Sequence, residues 1–116
     1  MGLFFVLLQY NNFKTKTMNI QIQAVNFSAD KKLISLVEEK LNMLTKFYDN
    51  LIEADVYLKV QKSSDKDNKH FELRLGVPGE DIVVKKVSDN FENALNQVVS
   101  TSKKILIKYK EKQRKN

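Results

Sequence analysis

Residues 54–75 read ADVYLKVQKSSDKDNKHFELRL. Ala54, Val56, Leu58 and Val60 alternate with Asp55, Tyr57 and Lys59; further on, Phe71, Leu73 and Leu75 alternate with His70, Glu72 and Arg74. A period of two marks strands with one buried and one wet face. Residues 62–69 between them are wholly polar, which suits a hairpin loop. Pro78, Gly79, Glu80 and Asp81 form a turn signal, and a third strand is predicted over 82–87. Because each of the three has a polar face, antiparallel pairing is expected among them; parallel sheets are buried on both sides.

Two helical patterns flank this block. Upstream, Ile20, Ile22 and Ala24 alternate with Asn19, Gln21 and Gln23, a strand over 19–25. Asn26, Phe27 and Ser28 break that pattern. Ser28 is the predicted helix N-cap, with Asp30 favourably placed for the helix dipole. Leu33, Leu36, Val37, Leu41, Leu44, Phe47 and Tyr48 recur at three and four residues, so one amphipathic helix is predicted over 29–50. Downstream, a second helix is predicted from Ser88 or Asp89 to about residue 112. Its stripe is Phe91, Ala94, Leu95, Val98, Ser102, Ile105, Leu106 and Tyr109. The order β-α-β-β-β-α predicts an α+β fold: a four-stranded sheet with two helices packed on one face, like a double-stranded-RNA-binding domain.

Residues 18–116 are expected to form one domain, because its signals begin at Met18. Residues 1–17 read as an N-terminal extension or a leader outside it. Their apolar run Leu3-Phe4-Phe5-Val6-Leu7-Leu8 is far short of the roughly 20 residues that span a bilayer. No basic residue precedes that run and no small-residue cleavage site follows, so it makes a poor signal peptide.

Charge is distributed unevenly. The chain carries 20 basic and 14 acidic residues, a net +6. Lys103, Lys104, Lys108, Lys110, Lys112, Arg114 and Lys115, against Glu111 alone, account for all of it, so the rest of the chain is neutral. A neutral domain ending in a basic helix points to a polyanion, of which structured RNA is the abundant cytoplasmic example. A helix C-terminus favours cations in any case, but two or three would serve that purpose. At 100° per residue Lys104, Lys108 and Lys115 flank one side of the stripe, and Lys103, Lys110 and Arg114 the other.

Other chemistries find little support. There is no cysteine, hence neither a disulfide nor a thiolate zinc site. Three glycines cannot write a phosphate-binding glycine loop. His70 is the only histidine and is predicted on a strand surface; the pairs Glu38-Glu39 and Asp65/Asp67 read as solvated. No enzyme, cofactor, metal site or small-molecule substrate is expected. Tyr57 and Tyr109 have rings that stack on bases, although Tyr109 lies on the buried stripe. Ile107 is an exposed apolar residue within the basic face.

Particular residues carry a family resemblance. They are Met18-Asn19-Ile20-Gln21-Ile22, Glu39-Lys40-Leu41 through Phe47-Tyr48-Asp49, Val56-Tyr57-Leu58-Lys59-Val60-Gln61-Lys62, Phe91-Glu92-Asn93-Ala94-Leu95-Asn96 and Lys108-Tyr109-Lys110-Glu111-Lys112. Together they resemble the ribosome hibernation promoting factor family, also called the sigma-54 modulation or ribosome-associated inhibitor family, over residues 18–112. Asn96 stands where an acid is usual, and Lys104-Ile105-Leu106 where Arg-Gln-Leu is common, which keeps the charge but loses the planar fork. The resemblance is to the family's short form, without a C-terminal dimerisation domain.

The resemblance implies a cytoplasmic, stress-related inhibitor of translation. It would be a monomer off the ribosome that binds rRNA of the small subunit and occludes the mRNA and tRNA sites, with no membrane contact. Lys104, Lys108, Lys110 and Lys112 match the family's basic positions, and Lys85 and Lys86 match those of some members. The expected RNA-binding set is Lys103, Lys104, Lys108, Lys110, Lys112 and Arg114, with Lys85 and Lys86 as a second patch. The rival expectations are a generic structured-RNA-binding module and a protein-interaction module.

Overall fold

The computed structural model describes residues 18–62 and 66–114. The extension or leader expected over residues 1–17, Lys115 and the middle of the polar loop lie outside the described residues. Four strands, β1 (Asn19–Val25), β2 (Glu53–Val60), β3 (Lys69–Val77) and β4 (Glu80–Ser88), form one sheet in the order β1-β2-β3-β4. Helix α1 (Lys31–Asn42) follows β1, and α2 (Phe91–Arg114) follows β4. The element order and the α+β class agree with the sequence expectation.

β2, β3 and β4 pair antiparallel, as their polar faces suggested. β1 joins parallel to β2, making the sheet mixed. The reason is connectivity: α1 carries the chain back across the sheet, so the second strand starts at the end where the first one started. The β3–β4 hairpin closes through Pro78 and Gly79, with Val77 opposite Glu80. Gly79 has φ of +89°, and proline followed by a positive-φ glycine is the signature of a type II turn.

The inner face of the sheet is apolar in register. Ile22, Val56, Leu73 and Val84 form one cross-strand row, and Ala54, Leu75 and Ile82 continue the next. Val37, Leu41 and Leu44 from the first helical segment close over them, with Leu95, Val98 and Leu106 from α2. All six of these helical residues are fully buried.

The first helix departs from expectation at both ends. Its N-cap is Asp30, not Ser28: the Asp30 carboxylate accepts the Leu33 N–H at 2.8 Å from an extended backbone. A carboxylate caps and also faces the positive end of the dipole, which a serine hydroxyl cannot match. The α-helix ends at Asn42, and a 3₁₀ turn covers Met43–Lys46. Here the Thr45 hydroxyl donates to the Asn42 carbonyl at 2.7 Å, offering that acceptor a local partner where the helix tightens. Phe47 and Tyr48 therefore follow a tight turn instead of continuing the predicted helix to residue 50.

The second helix starts slightly later than predicted, because Ser88 is still in β4. Asn90 caps it, its side-chain oxygen accepting from the Asn93 N–H at 2.7 Å. Asp89 accepts from the Asn93 amide and the Ser88 hydroxyl, each at 3.1 Å. Those hydrogen bonds, the Asn93 one first, hold its carboxyl below the ordinary 3.8. The associated stability is present above that value and is lost as pH falls through the lowered one.

One buried group in α2 lacks a partner. Ser102 is fully buried, and its hydroxyl has no hydrogen bond. An unpaired buried polar atom carries its full desolvation cost. Ser102→Ala is therefore expected to raise stability by about 1 kcal/mol, read as a higher urea midpoint at unchanged slope. A lowered midpoint would contradict this.

Candidate nucleic-acid interface

α2 is 24 residues long, about 36 Å at 1.5 Å per residue. Its first two-thirds are anchored by Ala94, Leu95, Val98, Ser102 and Leu106, all buried. From Lys110 to Arg114 every residue is exposed, so the final turn projects beyond the covered part of the sheet. Lys103, Lys104, Lys108, Lys110, Lys112 and Arg114 are all solvent-exposed. Among the described residues, the ion pair found is Lys85–Glu72, and it involves none of these six cations.

Three contacts hold the projecting end in a fixed direction. The Tyr109 hydroxyl donates to the Pro78 carbonyl at 2.9 Å, tying α2 to the β3–β4 turn. Tyr48 donates to the Gln113 side-chain oxygen at 3.0 Å, tying it to the segment after the 3₁₀ turn. The two tyrosine rings meet edge to face, with centroids 5.3 Å apart, a favoured arrangement for aromatic quadrupoles. Partial burial raises the Tyr109 hydroxyl above its ordinary 10.0, with Tyr48 and Glu80 adding to the effect. The folded state thus prefers the neutral phenol. Its contribution is complete below 10.0 and is lost as pH rises through the raised value.

The cations divide as the helical wheel suggested. Lys103 lies on the flank facing the first helical segment, its ammonium 4.8 Å from the Phe47 ring centroid. This cation–π contact orients Lys103 more than the other lysines. Lys110 and Arg114 share that flank and line a hollow with Tyr48, Asp49 and Asn50. Lys104 and Lys108 occupy the other flank, and Ile107 is 38% exposed on the outer surface between the two.

Lys85 and Lys86 do not form a single patch. Lys85 lies opposite Glu72 on the helix-free face of the sheet and pairs with it at 3.2 Å. Lys86 lies opposite Phe71, so it belongs to the helix-covered face and is partly buried at its edge. Alternation along a strand separates adjacent residues onto opposite faces.

The structure adds residues that the sequence did not nominate. Tyr48, Gln113 and Pro78 position the basic helix through side-chain and turn contacts whose partners are 31 and 65 residues apart. No local pattern encodes such pairs. Tyr57 is 37% exposed on the helix-free face, and Tyr109 is held at the helix–sheet seam, as its stripe position implied. Among the described residues, no group of three or more His, Asp or Glu residues could hold a metal ion. No helix there is long and apolar enough to cross a membrane.

Comparison with known proteins bears on this arrangement. A comparison with curated protein sequences finds no match. Among solved structures, a ribosomal subunit interface protein from Coxiella burnetii has a TM-score of 0.73 at 21% identity, covering 81% of this chain and 99% of that one. The N-terminal domain of Thermus thermophilus Protein Y has a TM-score of 0.69 at 20% identity, covering 79% and 99%. At such identities the likeness establishes the fold. The family model described as sigma 54 modulation protein / S30EA ribosomal protein matches residues 20–114. With that match over most of its length, the chain belongs to the sigma 54 modulation protein / S30EA ribosomal protein family, the one its motifs resembled.

Proposed function

We propose that this protein is a non-enzymatic, ribosome-associated inhibitor of translation that binds the small subunit as a monomer and occludes the mRNA and tRNA sites. The observation that carries the reading is the end of α2, a rigidly held helix whose exposed cations make no ion pair among the described residues. Structured RNA presents dense phosphate, and its neutralisation with counterion release supplies most of the affinity. Lysines suffice, because phosphate contacts position a protein without reading sequence. The deep groove of A-form helices withholds base edges, so a wedge recognised by shape and backbone is adequate. Membership of a ribosomal protein family supports rRNA as the polyanion.

Lys104, Lys108, Lys110, Lys112 and Arg114 are assigned to rRNA phosphate. Lys103 contributes from its place over Phe47, and Lys86 from the sheet edge on the same side. Lys85, on the far face, is a separate contact. The test against a generic duplex-binding module is competition at equal salt between whole small subunits and an RNA duplex. The reading predicts at least tenfold preference for subunits, unchanged when other proteins are added. Equal affinity for the duplex would overturn it.

A further inference from the structure

Among the described residues no element covers the helix-free face of the sheet, and its register sorts the side chains. One end carries Glu53 and Asp81, followed by a row of Asp55, Arg74 and Val83. The other carries Val25, Lys59, His70 and Val87 in a single cross-strand row. Next to that row lie Gln23, Tyr57, Glu72 and Lys85. Tyr57 and Val87 are 37% and 42% exposed, and among the described residues no helix covers them. A groove of about 380 Å³ runs here, lined by Tyr57, Lys59, His70, Lys85 and Val87 among others. On the other side of Tyr57 a second hollow is lined by Gln21, Gln23 and Asp55.

We propose that this end of the open face binds unpaired RNA, with one base stacked on Tyr57 and the flanking phosphates on Lys59 and Lys85. Three features select that occupant. First, an exposed aromatic ring with lysines at its rim offers both halves of a nucleotide a partner: stacking for the base and charge for the phosphate. Secondly, Glu72 is the one carboxylate lining the groove, and it already pairs with Lys85 at 3.2 Å. Surface pairs of this kind contribute little, and the Lys85 side chain is 71% exposed, so phosphate competes for it readily. Thirdly, the far end holds Glu53, Asp55 and Asp81 against Arg74 alone, a net negative charge that disfavours a polyanion there relative to the basic end. Base-paired RNA hides its base faces, so a ring at this place is matched by a single strand. Gln21 and Gln23, whose amides both donate and accept, line the hollow beside Tyr57 and would offer partners to the edge of a stacked base. This surface is separated from the α2 cations by the sheet itself, and it stands whether or not α2 docks on the ribosome.

The probe is a fluorescein-labelled octauridylate, followed by anisotropy at low salt with the full chain. Tyr57→Ala is expected to weaken binding about tenfold, the lower part of the range for loss of one base–aromatic stack. Tyr57→Phe retains affinity within about twofold, since the π-face is kept. Glu72→Gln strengthens binding by removing the competing carboxylate. In a protein with Lys104→Glu and Lys108→Glu, the Tyr57→Ala loss persists, which separates this site from the helix surface. The proposal is overturned if folded Tyr57→Ala and Lys59→Glu proteins both bind the oligonucleotide as the parent does. It is equally overturned if amide shifts around Tyr57 move with protein concentration alone and not with RNA, since that outcome makes the face a self-association surface.

Discussion

Reversing charge at Lys104 and Lys108 together is expected to weaken binding to small ribosomal subunits roughly a hundredfold at fixed salt, since a hydrogen bond to a charged group contributes at least about 1.5 kcal/mol. Both side chains are exposed on one flank of α2, and neither makes an ion pair among the described residues. The substitutions therefore remove no core contact, and the unfolding midpoint should stay where it is. Co-sedimentation gives the affinity, and a urea titration of the same protein gives the control. In vitro translation should recover in parallel. A well-folded double variant that still inhibits translation at the parent's concentration would remove these two lysines from the interface.

Shortening α2 is a poor way to ask the same question. A chain ending at Ser102 would lose Leu106, which is fully buried, and the Tyr109 tie to Pro78. Lost binding would then report unfolding and not lost charge.

Leu106→Ala is expected to destabilise the domain by about 3 kcal/mol, the usual cost of a buried leucine truncation with its cavity. That is a large fraction of the roughly 5–15 kcal/mol that holds a domain together. Leu106 is the last fully buried residue of α2, so it is the apolar anchor nearest the projecting cations. The urea midpoint should fall at constant slope. Subunit binding should fall only as far as the folded fraction falls, because no charge has changed. A small shift, under about 1 kcal/mol, would mean that the end of α2 is not packed on the sheet as described.

Much of this architecture could be read from residue order. Alternation in 54–60 and 71–75 placed two central strands, because each has one buried face and the period of two survives there. The stripe from Phe91 to Tyr109 placed α2 and turned its lysines outward. What escaped was whatever depended on contacts between distant segments. The parallel pairing of β1 with β2 follows from a crossover, which no local pattern announces. Asp30 outcompeted Ser28 as a cap because two good capping residues stood two places apart. The helix expected to reach residue 50 ended early because the Thr45 hydroxyl bonds back to Asn42, while Phe47 and Tyr48 still fell on the apolar spacing.

The candidate site was legible in the same uneven way. The charge run identified the basic helix, yet adjacent Lys85 and Lys86 were grouped when the strand sends them to opposite faces. Tyr57 stood out as a stacking ring, but its neighbours Lys59, His70 and Val87 became one surface only through the sheet register. The pins at Tyr48 and Tyr109, which give the lysines a fixed direction, needed the tertiary structure.

The most direct measurement is the salt dependence of subunit binding for the parent and for the Lys104→Glu, Lys108→Glu protein. Each phosphate neutralised steepens the slope of log affinity against log salt by somewhat less than about one. The account predicts a steep parental slope that becomes shallower by about two in the variant. Superimposable slopes for the two folded proteins would contradict the claim that the α2 lysines bind ribosomal RNA phosphate.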